Sequence, residues 1–163
     1  MQSRDLKQRF VFDQSDARGC YVRLTETVAD IQATHHYPDN LAKVLNEFAL
    51  AVVLLRDSIK VDGSITIQLR APGAISLIMA DCLADKRVRA IAEYDGSALA
   101  ANDPVELASF GDGAVMAITI TPRQGERYQS IVPIEQATLA GCLEDYFARS
   151  EQLPSWFVLC AQR

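Results

Sequence analysis

The sequence lacks closely spaced cysteines, a membrane-length apolar run, glycine- or proline-rich tracts and any excess of basic charge. Each absence removes a class of protein. The four cysteines, Cys20, Cys82, Cys142 and Cys160, lie 62, 60 and 18 residues apart. No pair has the C-x-C or C-x-x-C spacing that pre-positions two thiolates for a metal or a redox disulfide. Each sits among apolar neighbours, where a free thiol behaves as a small hydrophobe, so four structural thiols in a reducing cytoplasm are expected. The longest apolar run, Phe48 to Leu55, has eight residues, against roughly 20 for a bilayer span. The opening MQSRDLKQRF contains no apolar signal-peptide core. Eight glycines and six prolines in 163 residues exclude collagen-like and low-complexity chains. With 16 basic and 21 acidic side chains the formal net charge is −5, which argues against binding to phosphate backbones. The expectation is one soluble domain, residues 1–163, with no nucleic-acid or membrane partner and a core large enough to need no disulfide or metal.

What is present is a regular alternation of turns and short strands. Asp62-Gly63, Pro72-Gly73, Asp95-Gly96, Gly111-Asp112-Gly113 and Gln124-Gly125 are turn signals. Between them, Ser64 to Arg70 alternates strictly, with Ile65, Ile67 and Leu69 on one face, as a half-buried strand does. Further strands are expected at Phe10–Phe12, Gly19–Leu24, Ile75–Cys82, Arg87–Tyr94, Ala114–Thr121, Arg127–Ile134 and Trp156–Cys160. Joined by turns and not by helices, they should be mostly antiparallel.

Three segments carry helical signals. Thr25 or Thr27 can cap a helix to about Thr34, and Tyr37-Pro38 breaks it. Asp39 or Asn40 can cap a second, over about Leu41–Ser58. Thr138 can cap a third ending near Gln152, in which Leu139, Cys142, Leu143, Tyr146 and Phe147 form one apolar stripe. The second helix is the unusual one. Between Leu41 and Ile59, 13 of 19 residues are apolar, and its second half has no polar face. Such a helix must be covered on several sides. The expected architecture is therefore α+β: mostly antiparallel sheet around a long, largely buried helix, with an amphipathic C-terminal helix.

Side-chain constellations point weakly to chemistry. His35-His36 are the only histidines, and adjacent helical residues point about 100° apart, so a shared metal is disfavoured. A helix C-terminus where His⁺ meets the dipole is the better reading. Asp81-Cys82 has no histidine partner to make a nucleophile and reads as a strand with a buried thiol. Gly111-Asp112-Gly113 lacks the remainder of a phosphate loop and reads as a connection. Arg123, Glu126 and Arg127 read as a solvated turn. Trp156-Phe157 reads first as core, yet an exposed aromatic pair there would be a candidate interface. Nothing assembles a nucleophile, base and oxyanion donor, so no catalytic residue is assigned.

Four stretches are recognisable together. Leu143-Glu144-Asp145-Tyr146-Phe147, followed by Ser150-Glu151-Gln152-Leu153-Pro154, is the most specific. Ile118-Thr119-Ile120-Thr121-Pro122 with Gly125-Glu126-Arg127-Tyr128-Gln129 is a second, and Asp62-Gly63-Ser64-Ile65-Thr66-Ile67-Gln68-Leu69 a third. Arg9-Phe10-Val11-Phe12 through Ala17-Arg18-Gly19 is a looser fourth. In this order they resemble the N-terminal core of the redox-regulated 33-kDa heat-shock chaperone family. The resemblance implies a cytoplasmic, ATP-independent holdase that binds unfolding proteins during heat and oxidative stress, and a homodimer when active. It also implies antiparallel sheet around a buried helix.

The family's zinc centre of four thiolates, its redox switch, lies in a C-terminal domain. None of Cys20, Cys82, Cys142 or Cys160 matches a switch cysteine, so no zinc ligand is carried over and no cofactor is expected in this chain. The chain is expected to be the core without that domain. Trp156 and Phe157 are the candidate client-binding residues. Two alternatives stand beside the holdase. One is a hotdog-like thioesterase, in which Asp39 or Glu47 would supply the carboxylate. The other is an inactive dimerisation core.

Overall fold

The computed structural model describes residues 4–59, 62–100 and 103–161. A two-stranded antiparallel ribbon, β1 (Leu6–Val11) and β2 (Arg18–Arg23), opens the chain. Helices α1 (Glu26–Thr34) and α2 (Asp39–Ile59) follow. Five strands then form one sheet: β3 (Gly63–Arg70), β4 (Ile75–Cys82), β5 (Val88–Tyr94), β6 (Val115–Pro122) and β7 (Tyr128–Val132). A short 3-10 turn at Leu107–Phe110 precedes β6, and α3 (Leu139–Arg149) follows β7.

The sheet order is β5-β4-β3-β6-β7, and every neighbouring pair is antiparallel. Register explains the core. Ile67 lies between Ala80 and Ile118, and Leu69 between Ile78 and Met116, all fully buried on one face. This apolar face receives α2, whose Leu41, Leu45, Phe48, Val52 and Leu55 are fully buried. The β1–β2 ribbon lies against another side of α2. The helix is thus enclosed between two β layers, which is what its apolar second half demands.

The apolar stripe of α3 joins the same core: Leu139, Cys142, Leu143, Tyr146 and Phe147 are all buried. Thr138 caps this helix as expected, its Oγ1 accepting from the Gly141 N–H at 3.1 Å. The helix stops three residues short of Gln152, which has φ +50° and turns the chain out of the helical register.

The α1 cap differs from expectation. Thr25 occupies the cap position but makes no side-chain cap bond. The carboxylate of Asp5, twenty residues earlier, accepts from Thr25 N–H (2.6 Å), Glu26 N–H (2.8 Å) and the Thr27 hydroxyl (2.5 Å). A carboxylate there satisfies orphan amides and meets the positive end of the helix dipole. Asn40 lies inside α2, its Nδ2 donating to the carbonyls of Ala100 (2.9 Å) and Asp103 (2.7 Å). Strand β1 runs further back than expected, because Leu6 to Arg9 find ladder partners in Arg23 to Cys20. The largest correction is Trp156–Cys160, which is not assigned as a strand, because it pairs with no other strand among the described residues.

Candidate functional site

After Leu153-Pro154 the chain turns back along α3. The Leu153 N–H donates to the Phe147 carbonyl at 3.0 Å, and the Phe157 N–H donates to Glu144 Oε1 at 2.7 Å. The rings of Phe147 and Phe157 lie 5.5 Å apart. The two candidate residues are therefore separated in role. Phe157 is half-buried and anchors the segment, whereas Trp156 is 89% exposed. Val158 is equally exposed and completes the apolar surface with Trp156. Just inside the turn, the Tyr146 hydroxyl donates to Glu151 at 2.9 Å, and burial pushes its pKa up to about 12.

A second apolar surface went unread in the sequence. The outer side of the β1–β2 ribbon presents Leu6, Phe10 and Tyr21, and Phe12 extends it toward the tip, all exposed. The rings of Phe10 and Phe12 meet edge to face at 5.7 Å, and Phe10 lies across Gly19, where any side chain would displace it. The available signal was parity: Leu6, Gln8 and Phe10 share one face of β1, while Lys7 and Arg9 share the other.

Those two cations hold the ribbon down. Lys7 Nζ and Arg9 Nη2 reach Asp57 Oδ1 of α2 at 2.7 and 2.5 Å. The Arg9 hydrogen bond, supported by Lys7, lowers the Asp57 carboxyl from its usual value to about 2. An isolated two-stranded ribbon is marginal in water, so this anchor fixes where its aromatic face stands.

A third surface is the sheet face away from the helices. All three helices bury their side chains in the cluster that contains Ile65, Ile67 and Leu69. The opposite face carries exposed Val115 and Ile131 beside a polar patch. There the Thr66 hydroxyl and Arg89 both donate to Asp81, and Gln129 donates to Thr119.

The remaining candidates are scattered. All four cysteines are free; Cys82 and Cys142 are buried, Cys20 is half-buried and Cys160 exposed. Burial pushes the thiols of Cys82, Cys142 and Cys20 up from their ordinary values. Among the described residues no group of three or more His, Cys, Asp or Glu is arranged to hold a metal ion. His35 caps the C-terminal end of α1, and its ring lies 5.8 Å from that of Tyr37, tilted by 52°. Asp39 begins α2, and Glu47 is half-buried along it, its carboxyl raised by burial against the opposing charge of Lys43. Neither lines either of two surface hollows, of about 500 Å³ between Gly63 and Arg123 and about 240 Å³ between Pro72 and Phe110. No helix among the described residues is long and apolar enough to cross a membrane.

Comparison with known proteins places this arrangement. The model of the Hsp33 protein family matches residues 5–163. The 33 kDa chaperonin of Ectopseudomonas mendocina (strain ymp) is 44% identical over 157 residues, covering 96% of this chain and 52% of that protein. That of Pseudomonas paraeruginosa (strain DSM 24068 / PA7) is 41% identical over 162 residues, covering 99% and 54%. The chain thus spans about half the length of the relatives it matches. Among solved structures, the 33 kDa chaperonin of Thermotoga maritima shares the fold with a TM-score of 0.68 at 23% identity, over 85% of this chain and 49% of that one. From the ribbon through α3 and the segment beyond it, the chain belongs to the Hsp33 family.

Proposed function

We propose that this chain is a chaperone core that holds unfolding proteins through exposed apolar surface, without ATP and without catalysis. The observation that carries this reading is the exposure of large apolar side chains on the ribbon and on the segment after α3, each held to a helix by a carboxylate. Trp156 and Val158 are 89% exposed, and Phe10, Val11, Phe12 and Tyr21 stand out on the ribbon. An isolated exposed apolar residue is ordinary, but grouped aromatics on rigid supports mark interaction surfaces. Membership in a family whose relatives are named 33 kDa chaperonins supports the same reading.

The physical device is simple. The sheet and α2 form a rigid base, the Asp57 anchor holds one apolar face outward, and the Glu144 anchor holds another. An unfolding client loses free energy by covering its own apolar groups on these faces, at roughly 25 cal/mol per Å² of apolar area removed from water. Contacts of this kind carry little sequence preference, as a holdase requires. The client is an unfolded polypeptide, the working compartment is the cytoplasm, and self-association of the chain is compatible with client capture.

Client binding by this chain is expected to need no oxidant, because its apolar faces already stand exposed while all four thiols are free. The test is light scattering from a chemically unfolded client diluted into buffer with the chain, in dithiothreitol and in peroxide, without nucleotide. Suppression of scattering in both conditions is expected. Unchanged aggregation at molar excess of the chain would sink the proposal.

A further inference from the structure

Gly111-Asp112-Gly113 is too short for a phosphate loop, yet it holds a pair of residues with chemistry of its own. An aspartyl residue followed by glycine can close a five-membered succinimide, because glycine has no side chain to shield its amide nitrogen. Three such pairs occur, Asp62-Gly63, Asp95-Gly96 and Asp112-Gly113, and no asparagine precedes a glycine. The fold treats the three differently.

Two of them are held. Asp62 Oδ1 meets Arg123 Nε at 3.2 Å, and the Asp62 carbonyl accepts the Arg123 N–H at 2.9 Å. Gly63 enters β3 opposite Pro122, its carbonyl accepts from Arg56, and the backbone of Thr121 and Pro122 packs against it. Asp95 Oδ1 accepts from the Ser97 N–H at 2.9 Å and the Ser97 hydroxyl at 2.6 Å. The Asp95 carbonyl accepts from the N–H groups of Ala98 (3.1 Å) and Leu99 (3.0 Å). In both pairs, side chain and main chain must release partners before the carboxyl carbon can reach the next nitrogen.

Asp112-Gly113 is open by the geometry of its own turn. The Ala114 N–H donates to the Gly111 carbonyl at 3.3 Å, so Asp112 and Gly113 are the two central residues. Gly113 has φ +90°, the left-handed value that the second central position of a type II turn requires. The closing bond uses the amide of Ala114 and leaves that of Gly113 outside it. Both central residues are exposed, and among the described residues neither the Asp112 carboxylate nor the Gly113 N–H has a hydrogen-bond partner.

We propose that Asp112-Gly113 is an isoaspartate-forming site, and that the aged chain is a substrate for an S-adenosylmethionine-dependent carboxyl methyltransferase. The Gly113 nitrogen attacks Cγ of the Asp112 carboxylic acid; a Cγ–N bond forms, a Cγ–O bond breaks, and the hydroxyl leaves with the amide proton as water. A second water opens the ring. Attack at Cγ restores aspartate, whereas attack at the main-chain carbonyl carbon leaves Gly113 joined through Cγ, with a free α-carboxylate. That carboxylate takes the sulfonium methyl group, S-adenosylhomocysteine leaves, and the ester expels methanol as the ring re-forms. The isoaspartyl link lengthens the main chain by one carbon at the entry to β6, where Val115 pairs with Arg70 and Met116 is fully buried. This chemistry is separate from client binding.

The test is incubation of the folded chain for weeks at physiological temperature in heavy-oxygen water, then digestion with endoproteinase Asp-N, which cuts before aspartate and not before isoaspartate. Mass spectrometry should find heavy oxygen and lost cleavage at Asp112, with Asp62 and Asp95 slower by about tenfold or more, since their hydrogen bonds must break before the ring can close. A methyltransferase of that class should label the aged chain from radioactive S-adenosylmethionine. Aged Asp112→Glu should lose most of that label, because its ring closure is six-membered and slow. In urea, where turns and ion pairs are gone, the three sites should react at similar rates. Equal rates at the three sites in the folded chain would overturn the proposal, as would reaction at Asp112 in urea alone. Full labelling of aged Asp112→Glu would place the modification elsewhere and overturn it too.

Discussion

Replacing Asp57 with asparagine tests whether the ribbon is held to α2 by charge. In the native chain the Asp57 carboxylate is 8% exposed and meets Lys7 at 2.7 Å and Arg9 at 2.5 Å. Its pKa lies at about 2 against an ordinary 3.8, a difference worth about 2.5 kcal/mol at 1.36 kcal/mol per unit. The Lys7 and Arg9 side chains are 42% and 61% exposed, so solvent screening reduces the effective contribution to about 1–1.5 kcal/mol.

The sign follows from linkage. A carboxyl whose folded pKa is depressed stabilises the fold fully above its unfolded value and loses that contribution as pH falls toward the folded one. The Asp57→Asn variant should therefore be less stable than the parent by about 1–1.5 kcal/mol at pH 7, and the gap should narrow to about half that at pH 3. Urea unfolding followed by far-ultraviolet circular dichroism measures both, and is preferable to fluorescence because Trp156 is already in water. Amide exchange should speed up first in β1 and β2. A variant as stable as the parent at pH 7, or a gap that does not change between pH 7 and pH 3, would refute the electrostatic account of the anchor.

Two further outcomes are expected. A Cβ at Gly63 would run into the Thr121 carbonyl oxygen and stand 2.6 Å from Pro122 Cα, both backbone, so Gly63→Ala should cost about 1–3 kcal/mol in urea unfolding; a shift under about 0.5 kcal/mol would show that β3 and β6 separate freely there. In the native chain Cys160 should react first with Ellman's reagent, and buried Cys82 and Cys142 only on unfolding; simultaneous release of all four thiols would contradict the packing of β4 and α3.

Much of the fold was legible because local patterns and tertiary packing agree. Ser64 to Arg70 alternates in sequence and in burial, and Ile75–Cys82 has the expected bounds. The stripe on α3 buries the five residues that its spacing selects. Where local and tertiary demands part, the sequence misleads. Thr25 is a good capping residue, yet Asp5 is brought to α1 by the ribbon and takes its amides. Trp156 to Cys160 has strand composition, yet it pairs with no strand among the described residues, and composition alone does not supply a partner.

The candidate site was half legible. Trp156 was singled out because it is a large aromatic beside Phe157, but adjacency in extended chain places the two on opposite faces. Only the packing of Phe157 on Phe147 decides which one faces water. The ribbon's aromatic face was legible only through the parity that sets Leu6 and Phe10 against Lys7 and Arg9, since Phe10 and Phe12 read equally well as core residues.

The sequence by itself determined the class of fold, the identity of the buried helix and the family, because these rest on periodicity and on runs of residues that need no partner to be recognised. The tertiary structure alone decided which apolar residues remain outside. Exposure depends on where the Asp57 and Glu144 anchors hold the ribbon and the final segment, and those anchors join residues 48 and 13 positions apart.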